Sequence, residues 1–210
     1  MVRFAGADPG FSGAIALLTA DGGDIEWIAP FPATTRQLTN KVKGKYKIKK
    51  IIDFSELDSI IRVGLLTWDL DIFMCIEEVS EQGRTSATGI AQLMVTYAAL
   101  HQAVASTKGC IKLVDYGKAT PQTWKRIYPN LHGAGKGVSD KNEKTKLIDA
   151  AAIATVQELF PNSWQKICPP HKSREGVFNT PNPNWADAVL LANYAKHCYE
   201  SSLIDLTKVA

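Results

Sequence analysis

Runs of apolar and polar residues along this chain predict its elements one after another. Residues 2–8, Val-Arg-Phe-Ala-Gly-Ala-Asp, predict a first strand. Pro9-Gly10-Phe11-Ser12-Gly13 predicts a turn, because proline presets φ and glycine admits positive φ. Ala14 to Leu18 is a second apolar run, Asp21-Gly22-Gly23 a second turn, and Ile25 to Ile28 begins a third strand. Tight turns between strands make this an antiparallel meander. From 41 to 49 lysine holds every odd position, with Val42, Tyr46 and Ile48 between them. Period-two alternation predicts a ribbon or edge strand with one lysine face. Asp53 with Glu56 has the form of a capping box, and Leu57, Ile60, Ile61 and Leu65 keep helical spacing after it. Residues 70–79 are nearly all apolar and end in two glutamates, which suits a strand buried on both faces. An alanine-rich helix follows over 86–105, and then a strand over 110–114. Thr120-Pro121, a cap followed by proline, opens a short helix through Trp124. His132 to Ser139 predicts a flexible loop. Asp140 with Glu143 opens a helix that reaches Phe160-Pro161. Residues 161–184, with five prolines, predict a loop, and a last helix starts near Trp185. The order is three strands, then helix, strand, helix, strand and three helices, with the later strands parallel because helices join them.

Composition narrows the class. The chain has 210 residues, 45 % hydrophobic and 21 % charged, which predicts one globular domain over 1–210 and excludes a disordered or fibrous chain. No apolar run is long enough to span a membrane, and the N-terminus meets Asp8 too early for a targeting core. Cys75, Cys110, Cys168 and Cys198 are scattered rather than framework-spaced, which favours a reducing cytoplasm. Cys168-Pro-Pro-His171 lacks a second metal-binding pair, so an ordinary loop is the better reading there. The net charge of +3 hides an asymmetry: residues 36–50 hold seven basic residues and no acidic one, and the rest has 17 basic against 21 acidic. A mildly acidic body carrying one basic element points to a polyanionic partner. The bland reading is an edge strand whose lysines resist aggregation.

Three acidic features stand where buried elements end. Asp8 closes the first strand, Glu77 and Glu78 close the apolar run, and Asp187 lies in the first turn of the last helix. Carboxylates in apolar settings are costly unless paired, and no basic residue adjoins any of them in sequence. Divalent cations are their natural partners, and carboxylates gathered round two such ions can clamp a phosphoryl displacement. Singly, each has an ordinary explanation. Asp8 can start the Asp-Pro-Gly turn, Glu77-Glu78 can be a solvated strand end, and Asp187 can be the third-position partner of an Asn184 cap. Ser12 lacks a G-x-S-x-G context, and the glycine-rich loop lacks P-loop spacing.

Five ordered motifs carry a resemblance. Gly6-Ala-Asp8-Pro-Gly10-Phe-Ser-Gly13, Ile76-Glu77-Glu78-Val79, Ala119-Thr-Pro-Gln-Thr-Trp124-Lys125, the helix from Lys144 to Phe160-Pro161, and Trp185-Ala-Asp187-Ala-Val-Leu-Leu-Ala resemble those of RuvC-type Holliday-junction resolvases, especially the phage and virus-like branch. The match spans about residues 2–195. Actin-like ATPases share the first motif, but their fold needs two such domains. The resemblance implies an α/β, RNase H-like fold: a five-stranded mixed sheet with helices on both sides. It implies a homodimeric, metal-dependent endonuclease that nicks four-way and other branched DNA with Mg²⁺ or Mn²⁺, two ions per site. Asp8, Glu77 and Asp187 match the catalytic carboxylates. The usual fourth acid is replaced by Pro183 or Asn184, so the substitute ligand is Asn184 through its amide oxygen, Glu78 or an acid elsewhere in the chain. DNA contacts fall to Lys41, Lys43, Lys45, Lys47 and Lys49 of the ribbon, to Arg84 and Thr85 after the glutamates, and to Lys125 and Lys144. Two alternatives stay open: a non-catalytic branched-DNA-binding protein of this fold, and an RNase H-like nuclease acting on hybrids or flaps. The small-faced helix 86–105 serves a dimer in the resembled family, or merely packs on the sheet.

Overall fold

The computed structural model describes residues 2–10, 12–42, 45–65, 71–78, 87–107, 110–114, 119–173 and 176–207, with the backbone alone at 36–42, 45–50, 87–89, 92, 170–173, 176–178 and 203–207. Strands β1 (Val2–Ala7), β2 (Ala14–Leu18) and β3 (Ile25–Pro30) form the expected antiparallel meander. Strand β4 (Ala33–Val42) pairs antiparallel with β5 (Lys45–Ile52) in a separate two-stranded sheet. Helix α1 (Phe54–Ser59) follows, capped by Asp53, whose Oδ1 accepts from Glu56 N at 3.1 Å. It runs into a wider π-type turn over Ile60–Leu65. Strand β6 (Asp71–Ile76) lies parallel to β1, and β7 (Ile111–Leu113) lies parallel to β6 across the crossover helix α2 (Ala87–Ala105). The main sheet therefore has the order β3-β2-β1-β6-β7. Three short and long helices come next: α3 (Pro121–Trp124), α4 (Pro129–Gly133) and α5 (Lys141–Leu159). A hairpin of β8 (Pro170–Ser173) and β9 (Gly176–Asn179) precedes the closing helix α6 (Pro183–Thr207).

Strand alternation splits the core into two layers. Phe4, Ala16, Leu18 and Cys75 face α6, together with Trp124, Val156 and Phe160. Ala5, Ala7, Ile15, Met74 and Ile76 face the opposite way, onto Leu57 and Ile61 and onto Leu100 and Val104 of α2. Helices thus cover both faces of a mixed five-stranded sheet, as expected of an RNase H-like fold. Helix α6 can cross β1 closely only because Gly6 has no side chain: a Cβ there would overlap the backbone Ala188 O and Ala192 N. The caps expected at Thr120 and Asp140 are present; Asp140 Oδ1 accepts from Glu143 N at 2.7 Å.

Three expectations need correction. The lysine stretch is not one strand, because the chain reverses between Val42 and Lys45. The 161–184 stretch is not a plain loop: it contains a 3₁₀ turn at Trp164–Ile167 and the β8–β9 hairpin. The last helix starts at Pro183 rather than near Trp185, so Asp187 lies beyond its first turn. Asn182 caps that end, with its Oδ1 accepting from Asn184 N at 3.0 Å, so the Asn184-cap explanation of Asp187 falls.

Candidate active site

Register brings the first two carboxylates together. In the parallel β1–β6 pair, Gly6 sits opposite Cys75 and Ala7 opposite Ile76. One step further on, Asp8 and Glu77 leave adjacent strands side by side, and Glu77 N donates to Ala7 O at 3.0 Å. Both fall on the face that α6 covers, where Asp187 comes down from the helix. Asp8 is shaped by its own turn: Gly10 N donates to its Oδ1 at 3.0 Å, and its N–H donates to Ala14 O at 3.1 Å. Gly13 is required beside it, since a Cβ there would stand 2.9 Å from Asp8 Cγ and overlap its carbonyl.

Two consecutive residues of the α3 segment hold the other two acids. The Trp124 indole Nε1 donates to Glu77 Oε1 at 3.0 Å. Lys125 Nζ donates to Asp187 Oδ2 at 3.2 Å and stands 4.8 Å over the Trp124 ring. Asp187 Oδ1 is buried with no hydrogen-bond partner among the described residues. Burial pushes Glu77 up to about 8, and the Asp8 and Asp187 charges add to this against the pull of Lys125 and Trp124. Asp187 rises to about 6 for the same first reason; Lys125 opposes the rise, while Asp8 and Asp149 add to it. Asp149 on α5 is itself raised by burial and drawn back by Lys125.

These shifts carry a sign. A carboxyl whose folded pKa is raised favours the folded state most below its unfolded pKa, and that contribution is lost as pH rises through the folded value. Without divalent metal, the melting temperature should fall between about pH 4 and pH 8. A loss of even about 1.4 kcal/mol corresponds to roughly 3–6 °C in a domain of this size. Thermal melts in EDTA across that range, with a Glu77→Gln variant alongside, read the effect. A slope equal in the variant and the parent would contradict it.

The donor set suits a hard divalent cation: carboxylate oxygens, one of them orphaned, that repel one another. Among the described residues no three His, Cys, Asp or Glu side chains are gathered tightly enough to cage an ion as they stand. Asp187 meanwhile keeps the Lys125 ammonium as its counter-ion. Glu78 does not belong to this group. It is not among the groups that shift Glu77 or Asp187; its Oε1 accepts from Ala119 N at 3.3 Å, and it lines a cavity of about 270 Å³ with Tyr97, His101 and Leu113. Asn184 stands one turn before Asp187 on α6, with its N–H on Asn182.

Lys125 and Lys144 come together at a cleft of about 490 Å³, with Arg126, His132 and Lys136 joining them on its wall. Sequence reasoning did not single out the last three, nor Asp149 or the role of Trp124. Asp149 did leave a signal, because Asp149, Ala152 and Val156 share one stripe of α5 and the last two are buried. In the β4–β5 hairpin, Lys45, Lys47 and Lys49 take register positions on one face, with Arg36 opposite Lys49. Lys41 pairs with Tyr46 and so belongs to the other face, which corrects the single lysine face. Lys43, Arg84 and Thr85 lie outside the described residues.

No protein-family model matches the chain, and no curated protein matches it in sequence. Among the solved structures similar to it are two RuvC structures. A T. thermophilus RuvC in complex with Holliday junction substrate is 9 % identical, with 95 % of this chain and 96 % of that one covered and a TM-score of 0.46. A Thermus thermophilus RuvC structure is 12 % identical over the same shares, with a TM-score of 0.40. No described helix is long and apolar enough to cross a membrane.

Proposed function

We propose that this chain is a metal-dependent, structure-selective DNA endonuclease of the RuvC type that cuts four-way junctions and other branched DNA. The observation that carries the reading is that Asp8 and Glu77 follow the paired strands β1 and β6 while Trp124 and the adjoining Lys125 bond Glu77 and Asp187 of the covering helix. The five ordered sequence motifs support the same class. Asp8, Glu77 and Asp187 would hold Mg²⁺ or Mn²⁺, with Asn184, one turn before Asp187 on α6, as a candidate neutral oxygen donor. Bound divalent ions supply activation of the attacking water and stabilisation of the leaving oxygen. The chain's own part is to keep the carboxylates desolvated and fixed, through Trp124, Lys125 and the Gly10 N–H.

Basic groups fall into two sets. The cleft of Lys125, Arg126, Lys136 and Lys144 lies beside Asp187 and suits backbone phosphates near the cut. The β4–β5 hairpin, with Lys45, Lys47 and Lys49 at register positions of one face, suits a DNA arm and would contribute salt-dependent affinity without sequence choice. Paired nicks need two centres, and a homodimer supplies them. Its natural surface is α2, where Ala91, Met94, Val95 and Ala98 are exposed on one stripe of the helix. A monomeric mass by light scattering at micromolar concentration would sink the dimer. A phage origin is consistent with the motif branch, and branched DNA before packaging would then be the substrate; a housekeeping chromosomal locus would count against it.

The test is a synthetic four-way junction incubated with the protein and Mg²⁺ or Mn²⁺. Symmetric nicks near the crossover support the reading. Tight binding without cleavage in either metal favours the non-catalytic binding protein, and cleavage confined to an RNA–DNA hybrid or flap favours the other nuclease.

A further inference from the structure

We infer that Trp124 is a positioning residue of the carboxylate centre: its indole N–H orients Glu77 for cation binding, and the segment that carries it ties β6 to α6. This deepens the proposed metal-dependent reading and rests on it.

The geometry is specific. Trp124 is fully buried, so its N–H needs a partner, and it finds Glu77 Oε1 at 3.0 Å. A neutral donor on one carboxylate oxygen fixes the group without neutralising it and leaves the second oxygen for a cation. The ring is itself held. Tyr128 meets it edge-on, with centroids 6.3 Å apart and planes at 76°. The Tyr128 hydroxyl donates to Leu190 O at 2.7 Å and accepts from Asn193 Nδ2 at 3.1 Å, both on α6. The next residue after Trp124 is Lys125, on Asp187 of the same helix. One short segment therefore joins Glu77 at the end of β6 to Asp187 of the covering helix by direct side-chain bonds. Groups that orient a ligating side chain typically change metal affinity by about 10–100-fold when removed.

The experiment measures Mn²⁺ binding directly, by the loss of the free-ion EPR signal, on the full chain without DNA. Two variants remove the N–H. Trp124→Phe keeps an aromatic ring but leaves space, and β-(3-benzothienyl)alanine at position 124 keeps the shape of indole with sulfur in place of N–H. Both should bind Mn²⁺ about 10-fold more weakly. The isostere should keep the parent's melting temperature within about 2 °C, a shift of under 1 kcal/mol. Junction affinity in EDTA should not change. In a Glu77→Gln background, loss of the N–H should have no further effect on Mn²⁺ binding. Parent binding matched by the isostere overturns the inference alone. So does an equal loss in the Glu77→Gln background, which would show that Trp124 acts through general packing. A parent protein that binds no Mn²⁺ overturns the metal reading and the inference with it.

Discussion

Asp8→Asn should reduce cleavage of a Mg²⁺-supplemented four-way junction by a factor on the order of 10³ or more, as for loss of one member of a set that acts as a unit. Junction affinity should stay within about threefold, because phosphate contacts carry affinity. Asparagine is the informative replacement at this position. Its amide oxygen can still accept the Gly10 N–H that Asp8 Oδ1 receives at 3.0 Å, so the turn that opens after β1 is preserved. Only the charge is removed. Asp8 is among the causes that raise both Glu77 and Asp187, so removing it relieves repulsion and leaves the metal-free protein at least as stable as the parent. Loss of activity with equal or higher melting temperature separates a ligand from a fold-keeping residue. Nicking gels in Mg²⁺ and Mn²⁺, with anisotropy binding in EDTA, give both quantities. Paired nicks that persist in the variant would place the chemistry elsewhere in the molecule.

Much of the scaffold was legible because its signals are local. Asp53, Thr120-Pro121 and Asp140 each mark a helix start by hydrogen bonds that reach only three residues on, and each is a cap in the structure. The three carboxylates stood out in the sequence because Asp8 and Glu77 directly follow buried strands and Asp187 stands between buried residues of the last helix. What failed has definite causes. Alternation tells which residues share a face but not where a strand folds back. Antiparallel pairing places Val42 opposite Lys45, which changes the parity of the faces and moves Lys41 away from Lys45, Lys47 and Lys49. The β8–β9 strands have four residues each, too few to display a period, and they lie among prolines that argue against strands.

The partners of the acids were not legible at all. Trp124 and Glu77 are 47 positions apart, and Lys125 and Asp187 are 62. Nothing local in either stretch encodes those meetings; they follow from how α3 and α6 pack on the sheet. Glu78 follows the end of β6, where strand alternation no longer dictates its side, and its Oε1 accepts from Ala119 N, a residue 41 positions on that nothing local announces.

Gly6→Ala should be severely damaging for the addition of a single methyl group. Gly6 lies in β1, the middle strand of the five, opposite Ala16 on one side and Cys75 on the other. Its missing side chain points at α6, where a Cβ would overlap Ala188 O and Ala192 N. Both are backbone atoms of a helix and cannot rotate aside, so the helix itself must lift. Overpacking of this kind costs about 1–3 kcal/mol and sometimes more, against a total stability of about 5–15 kcal/mol. The expected drop in melting temperature is roughly 5–10 °C. Activity should fall further than stability does, because Asp187 immediately precedes Ala188 and Asp8 lies two residues beyond Gly6. Lifting α6 at this contact therefore separates carboxylates that must share a cation. Assaying cleavage well below the variant's melting point isolates that second effect, since nearly all molecules are then folded. Gly10→Ala is the comparison: its Cβ would meet only Asp8 Oδ1, at 3.3 Å, a tight contact that the side chain can yield. A Gly6→Ala protein with parental stability and parental cleavage would mean that α6 does not lie on β1 as closely as the carboxylate site requires.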